Sequence, residues 1–142
     1  MGRIVRSTNA EPAEGGLSGR TLVRAQRLAA QGDNLQALAL FREIVDAGPG
    51  RDRQAACVGA GNAYLALQRY ELAEACYEQS ATVGADPDLF AESLQNLGIS
   101  RYVRGDRSGA CDVMQELAVL DHPVFSPLAQ DNLQVLFGLV VY

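Results

Sequence analysis

The chain contains 142 residues, enough for a single domain with one continuous hydrophobic core. Hydrophobic residues make up 48% of it, and the abundance of small side chains favours close helix packing over a β-sandwich. A formal net charge of −5 argues against nucleic acid as a general partner, because phosphate binding requires a positive field.

No segment approaches the ~20 consecutive apolar residues of a membrane span, and the first residues lack the apolar run of a signal peptide. The three cysteines, Cys57, Cys76 and Cys111, are widely spaced and form no CxxC pair. We therefore expect buried, reduced thiols in a soluble cytoplasmic protein.

Residues 1–16 show no hydrophobic periodicity and combine Ser, Thr, Asn, Pro and paired Gly residues, which predicts a mobile arm. The first predicted helix begins near Ser18, a candidate N-cap, and runs to Gln31. A second helix follows over residues 35–47, and Gly48 is expected to end it in a left-handed conformation.

Two further helix pairs repeat this pattern, and a last helix follows them. The predicted pairs cover residues 54–67 with 71–83, and residues 89–104 with 107–120. The last helix is expected to begin at Ser126, as an N-cap before a proline, and to end near Gly138. The sequence thus predicts an all-α fold.

A short motif recurs once in each helix pair. An alanine in the second helix is followed four positions later by a large apolar residue, and then by a proline beyond the helix. The three copies are Ala37, Phe41 and Pro49, then Ala73, Tyr77 and Pro87, then Ala110, Met114 and Pro123. The alanines recur after 36 and 37 residues, close to the ~34-residue period of tetratricopeptide (TPR) repeats.

On these residues the chain resembles the TPR family, with repeats at residues 18–51, 54–87 and 91–123. The resemblance implies a right-handed superhelical stack of three helix-turn-helix pairs, with a capping helix over residues 126–138. It places one domain at residues 17–142. The chain departs from the family at the second turn, where Gln68-Arg69 replaces Gly-Asp, and at Arg101, where the family prefers Tyr.

Small residues are expected to let the two helices of a pair approach each other. Gly61 and Gly98 lie on the first helices of their pairs, opposite Ala73 and Ala110 on the second helices. A larger side chain at either glycine should separate the helices, at a cost of roughly 1–3 kcal/mol.

The resemblance also implies a concave groove lined by the first helices of the repeats, in which family members hold extended or helical peptide segments. Carried over position by position, the groove residues are Leu22, Gln26, Ala29, Val58, Asn62, Leu65, Gln95, Ile99 and Tyr102. This set carries no formal charge. The chain has no lysine and matches the family's carboxylate clamp only at Asn62, so we reject binding of a C-terminal carboxylate.

Asn62 is the sharpest candidate in the groove, because an amide can donate to and accept from a peptide backbone at once. The alternative is a solvated helix residue. Ile99 and Tyr102 could form an apolar shelf for a ligand side chain, or could instead pack against the terminal helix.

Few residues of the sequence could act as a catalytic base or bind a metal through histidine. His122 is the only histidine and lies in an Asp-His-Pro loop, where we expect a solvated ring. One histidine is too few for a histidine metal site and leaves a single candidate base for a nucleophile. We therefore predict no catalysis, no cofactor and no metal. Arg20, Arg24 and Arg27 line one side of the first helix, away from the groove, as either a solvated edge or a docking site for an acidic partner.

The end of the chain is more apolar than a terminal helix requires, because three or four apolar positions per two turns suffice for packing. The candidate self-association residues are Val135, Leu136, Phe137, Leu139, Val140 and Tyr142. Three explanations stay open: the run folds back over the groove, it forms a homodimer seam, or the sequence is cut from a longer protein.

The leading hypothesis is a non-catalytic protein–protein interaction module, adaptor-like or chaperone-like, that binds an apolar or amphipathic segment of a partner in the groove. The predicted arrangement of three repeats with flanking helices resembles that of small bacterial secretion chaperones of the type III translocator class. The alternative is a structural module that homo-oligomerises through its apolar C-terminal end. A stand-alone enzyme is the least favoured hypothesis.

Overall fold

The computed structural model describes residues 16–139, which fold into seven α-helices and contain no β-strand. The helices are α1 (Leu17–Ala30), α2 (Asn34–Ala47), α3 (Gly50–Ala66), α4 (Tyr70–Val83), α5 (Pro87–Arg104), α6 (Arg107–Ala118) and α7 (Phe125–Phe137). The all-α prediction is confirmed. The predicted mobile arm lies, apart from its last residue, outside the described residues.

Each helix packs against the next one along the chain, so the fold is built from consecutive helix pairs. In addition, α1 contacts α3, α3 contacts α5, and α5 contacts α7. Within residues 16–139, no comparable contact joins two even-numbered helices. The odd-numbered helices therefore form a connected layer, called the odd-helix layer below. None of the described helices is both long and apolar enough to cross a bilayer.

The hydrophobic core consists of two clusters, one built by α1 to α3 and the other by α4 to α7, and Tyr64 packs against both. The residues of the recurring motif lie at the centre of these clusters. They are Ala37, Ala73 and Ala110, which are fully buried, and Phe41, Tyr77 and Met114, which are at most 1% exposed. The motif is therefore a packing device that lets paired helices approach closely.

Gly61 is the clearest case of close approach between two helices. A methyl group added there would overlap the fully buried ring of Tyr77. At Gly98, the equivalent residue of the third pair, the nearest atom to an added Cβ is Cγ of Met114 at 3.2 Å. The expected crowding is thus severe at Gly61 and milder at Gly98, where a flexible thioether replaces a ring.

The three turns within the helix pairs share one backbone geometry. One residue of each turn has a positive φ, and these residues are Gly32 (84°), Gln68 (60°) and Gly105 (100°). The next residue caps the following helix in two cases, because Asp33 and Asp106 each accept from the backbone N–H three positions on. Arg69 makes no such bond. The second turn therefore strains a non-glycine residue and leaves α4 without a side-chain cap.

Two predicted serine caps and one predicted glycine cap are wrong. Ser18 lies inside α1, and its hydroxyl donates to Oδ2 of Asp52 at 2.5 Å. Ser126 is buried within α7, and its hydroxyl donates to the carbonyl oxygen of Leu117 at 2.7 Å. Gly48 is extended, with φ −79° and ψ 161°, instead of left-handed. Both hydroxyls bind partners on other helices, which a local sequence pattern cannot reveal.

Polar contacts join the second helix pair to the third. The fully buried Gln54 binds both backbone groups of Asp86: its Nε2 donates to the carbonyl oxygen at 3.2 Å, and its Oε1 accepts from the N–H at 2.7 Å. The buried carboxylate of Glu74 pairs with both Arg101 and Arg104, the latter at 2.6 Å from Nε. Arg101, where the TPR family prefers tyrosine, therefore forms an ion pair between α4 and α5.

Candidate functional site

A cavity of about 220 Å³ lies on the odd-helix layer, where α1, α3 and α5 meet. We call it the α1–α3–α5 cavity. Its lining includes four of the predicted groove residues, namely Gln26, Ala29, Val58 and Asn62. The structure thus brings together side chains that are up to 36 positions apart in the sequence. It also adds the apolar side chains of Phe41 and Leu89 and the carboxyl group of Glu92 to the lining.

Asn62 is exposed in the cavity, but its carbonyl oxygen is already engaged. Oδ1 of Asn62 accepts from the hydroxyl of Tyr77 at 2.6 Å and from Nδ2 of Asn96 at 3.0 Å. Burial raises the pKa of Tyr77, so the phenol keeps the proton that it donates. Nδ2 of Asn62 makes no hydrogen bond to any described residue, which leaves this amide as a donor and not as the two-way group that we expected.

Glu92 is the charged residue that the sequence reading of the groove missed. It is the one charged side chain among the described residues of the cavity lining, and its carboxylate has no hydrogen bond or ion pair within them. Burial raises the pKa of Glu92. A sequence signal existed, because Glu92 precedes the predicted groove residues Gln95 and Ile99 by three and seven positions, the spacing of one helix face.

Tyr102, the last predicted groove residue, is covered by the terminal helix. Its ring meets that of Phe137 edge to face, with centroids 5.8 Å apart. The guanidinium of Arg107 lies 5.1 Å from the centroid of Tyr102 and 5.5 Å from that of Phe137, and its Nη2 donates to the carbonyl oxygen of Leu136 at 3.3 Å. Of the two roles that the sequence left open for Tyr102, the structure shows packing against the terminal helix.

The remaining predicted groove residues are largely taken up by the core. Leu22 is buried in the core cluster of α1 to α3, and Leu65 and Ile99 pack against the core cluster of α4 to α7. Gln95 is buried, and its Oε1 has no hydrogen-bond partner within residues 16–139. The predicted groove is therefore split into an open part at the α1–α3–α5 cavity and a closed part beside α7.

His122 is not the solvated loop residue that we predicted. Its Nε2 lies 2.8 Å from Oδ1 of Asp88, and its Nδ1 accepts from the backbone N–H groups of Val124 and Phe125, both at 3.1 Å. Because backbone N–H groups can only donate, Nδ1 must be unprotonated, and the ring proton sits on Nε2 facing the carboxylate. The imidazole thereby joins the start of α5 to the start of α7.

Two other cavities lie away from the predicted groove. One, of about 670 Å³, lies between the start of α1 and the end of α2. The other, of about 410 Å³, contains Cys57 and Cys76 in its lining. Burial raises the pKa of Cys57 and raises that of Cys76 to about 11, which keeps both as thiols. Cys57 is buried as predicted, whereas Cys76 and Cys111 are partly exposed.

The three arginines of α1 and the apolar C-terminal residues can be placed only in part. Arg20, Arg24 and Arg27 are all exposed, as both readings of them require. Leu136 and Phe137 pack against the core, Val135 is 80% exposed, and Leu139 is 37% exposed. The other two candidate self-association residues, Val140 and Tyr142, lie outside the described residues.

Comparison with known protein families and with curated proteins found no match to this chain.

Proposed function

We propose that this protein is a non-catalytic peptide-binding module of the TPR type, which holds an apolar or amphipathic segment of a partner protein against the odd-helix layer. The observation that carries the proposal is the α1–α3–α5 cavity. Three successive odd-numbered helices contribute to it, and its lining combines apolar side chains such as Val58 and Leu89 with the free amide donors of Asn62.

The contacts between helices support the TPR part of the proposal. Each helix packs on the next one along the chain, and within the described residues the odd-numbered helices also contact one another, whereas no comparable contact joins two even-numbered helices. The buried alanines recur at the spacing of the repeats. In a right-handed superhelical stack, such a layer forms the inner surface of the curve, where a guest segment can contact several repeats at once.

The cavity offers a peptide both a hydrophobic and a polar anchor. The apolar part of a guest side chain entering it would be removed from water against Ala29, Val58 and Leu89, at about 25 cal/mol per Å² of buried apolar surface. Nδ2 of Asn62 can donate to a backbone carbonyl of the guest, which does not depend on the guest's sequence. This combination suits an adaptor or a chaperone.

The proposal is tested by selecting binders from a display library of random short peptides against the intact chain. Gln26→Trp covers the cavity from an exposed position of α1, and it should abolish the enrichment seen with the unchanged protein. Gln36→Trp makes the same exchange at an exposed position of α2 outside the cavity, and it should select the same peptides as the unchanged protein. Equal enrichment by both variants would place binding elsewhere.

A second candidate function, self-assembly, is favoured by an apolar surface at the other end of the chain. The exposed apolar side chains are Val119, Leu120 and Val124 of the segment between α6 and α7, and Leu128 and Val135 of α7. If two copies associate there, replacing Val124 and Val135 by Ser should convert a dimer into a monomer in light scattering. A monomeric mass for the unchanged chain at high concentration would exclude this function.

A further inference from the structure

We propose that the α1–α3–α5 cavity binds a basic side chain, Arg or Lys, of the partner peptide, with its charge held by the carboxylate of Glu92. The inference rests on the proposed function and adds the chemical class of the guest's anchor residue. The proposal follows from charge complementarity, since Glu92 is the one charged group of the described lining and has no cation beside it.

The size of the cavity favours one side chain over a small-molecule ligand. Its volume of about 220 Å³ is below the range of about 300–1,000 Å³ that is typical of small-molecule sites. Arg and Lys have an apolar stem and a charged head, and they bury the stem while the head makes polar contacts. The cavity has the matching division, with Ala29, Val58 and Leu89 as apolar wall and Glu92 as the charged group.

The cost of the unpartnered carboxylate supports the same occupant. Partial burial of Glu92 disfavours its charged form, as the raised pKa of the group shows. A guanidinium or ammonium group would offset this cost through a charge-assisted hydrogen bond, which is among the strong ones in proteins. An acidic side chain at the same place would meet like charge and add to the cost, so the cavity also discriminates against acidic guests.

Asn62 can complete the recognition of the guest. Its Oδ1 is fixed by Tyr77 and Asn96, so the orientation of the side chain is set before any guest arrives. Its Nδ2 repels a cation and favours an oxygen, which suits the peptide carbonyl next to the basic residue. Asn62 and Glu92 therefore bind different parts of the guest.

The test compares the peptides selected from the random display library by three proteins: the unchanged chain, Glu92→Gln, and the control Glu116→Gln at an exposed position of α6. We expect the unchanged chain and the control to enrich Arg or Lys at one position between apolar residues. With Glu92→Gln, the affinity for these peptides should fall about tenfold, while enrichment of the flanking apolar residues persists.

Charge reversal provides a second, independent readout. Glu92→Arg should disfavour basic peptides and enrich Asp or Glu at the same position. Apolar peptides without any basic residue, or basic peptides that bind Glu92→Gln as tightly as the unchanged chain, would overturn the inference and leave the proposed function standing. Failure to select any peptide that depends on the cavity would instead overturn both.

A further control separates a basic residue of the partner from the chain's own Arg3 and Arg6. Replacing both by Gln in the full chain should leave the affinity for a selected basic peptide unchanged. A several-fold tighter affinity in this variant would show that the amino-terminal segment fills the cavity, and it would overturn the assignment to a partner.

Discussion

The second and third helix pairs have the same helix-turn-helix arrangement, but the outer face of α3 is open whereas that of α5 is partly covered. Position by position, Asn62 and Leu65 of α3 correspond to Ile99 and Tyr102 of α5. Asn62 is exposed in a cavity, whereas its equivalent Ile99 packs against the core and the neighbouring Tyr102 is covered by Phe137 and Arg107. The same helix face thus becomes a candidate site or part of the core depending on which element packs next to it.

The largest expected difference between the two pairs lies at their equivalent glycines. Gly61→Ala should lower the free energy of unfolding by about 3 kcal/mol, because the added methyl group overlaps the buried Tyr77 ring. Gly98→Ala should cost less than about 1 kcal/mol, since Met114 can adjust and alanine is the better helix former. Urea unfolding of both variants measures the difference, and equal costs would contradict the proposed role of the Tyr77 ring.

The packing of α7 on Tyr102 of the third helix pair is tested at Phe137. Phe137→Ala should cost about 2 kcal/mol in urea unfolding, because it removes a half-buried ring and its edge-to-face contact with Tyr102. Amide hydrogen exchange at the end of α5 should accelerate as well. Val135→Ala, on the exposed side of the same helix, is the matched control and should change neither quantity. Unchanged exchange in α5 after the loss of Phe137 would show that Tyr102 is held without α7.

The turns of the two pairs give a smaller, reciprocal effect. Gln68→Gly should stabilise the protein by about 1 kcal/mol, because glycine accepts the positive φ of this position without strain. Gly105→Ala should destabilise it by a similar amount, since an added Cβ there has open space and only the backbone conformation is penalised. Thermal unfolding of both variants checks the prediction. A loss of stability in Gln68→Gly would contradict it.

The smallest effect concerns Glu92, and its sign depends on pH. Because burial raises its pKa above the ordinary value of 4.5, the folded protein binds this proton more tightly than the unfolded chain does. Stability is therefore lost as pH rises from that ordinary value through the raised one. No other charged side chain of the described lining compensates for it.

Glu92→Gln should accordingly stabilise the free protein at neutral pH by a few tenths of a kcal/mol, since solvent screens a half-exposed group. The gain should vanish below about pH 4, where the wild-type carboxyl is protonated in both states. Urea unfolding at the two pH values measures it, and a pH-independent gain would contradict the explanation. The same substitution should weaken the binding of basic peptides, so stability and binding move in opposite directions.

Much of the fold could be predicted from the sequence, because packing in this chain is local and periodic. The alanine motif and the turn residues located all seven helices, and the equivalent burial of Ala37, Ala73 and Ala110 follows from their spacing. The start of α3 was predicted four residues too late, at residue 54 instead of Gly50, and the two serine caps failed because their partners lie outside the local segment. Ser18 binds Asp52, and Ser126 binds Leu117, contacts that no local cap signal contains.

The candidate site was predictable only in part. Helical spacing brought Gln26, Val58 and Asn62 to one surface, and the structure places them in one cavity. Glu92 was missed because the groove positions carried over from the family begin at Gln95 in the third repeat, about one turn after Glu92. Packing of Tyr102 against the terminal helix was one of the two roles left open, because helical spacing alone does not show that Arg107 of α6 and Phe137 of α7 meet its ring.

The hydrogen bonds between Gln54 and Asp86 have a consequence for how the length of this chain can vary. Surface loops usually absorb inserted residues at little entropic cost. The connection before α5 is different, because shifting Asp86 would leave both ends of a fully buried amide unpaired, at about 1–3 kcal/mol for each polar group. The connection can therefore change its composition while its length stays fixed, and one glutamine sets the register between the second and third helix pairs.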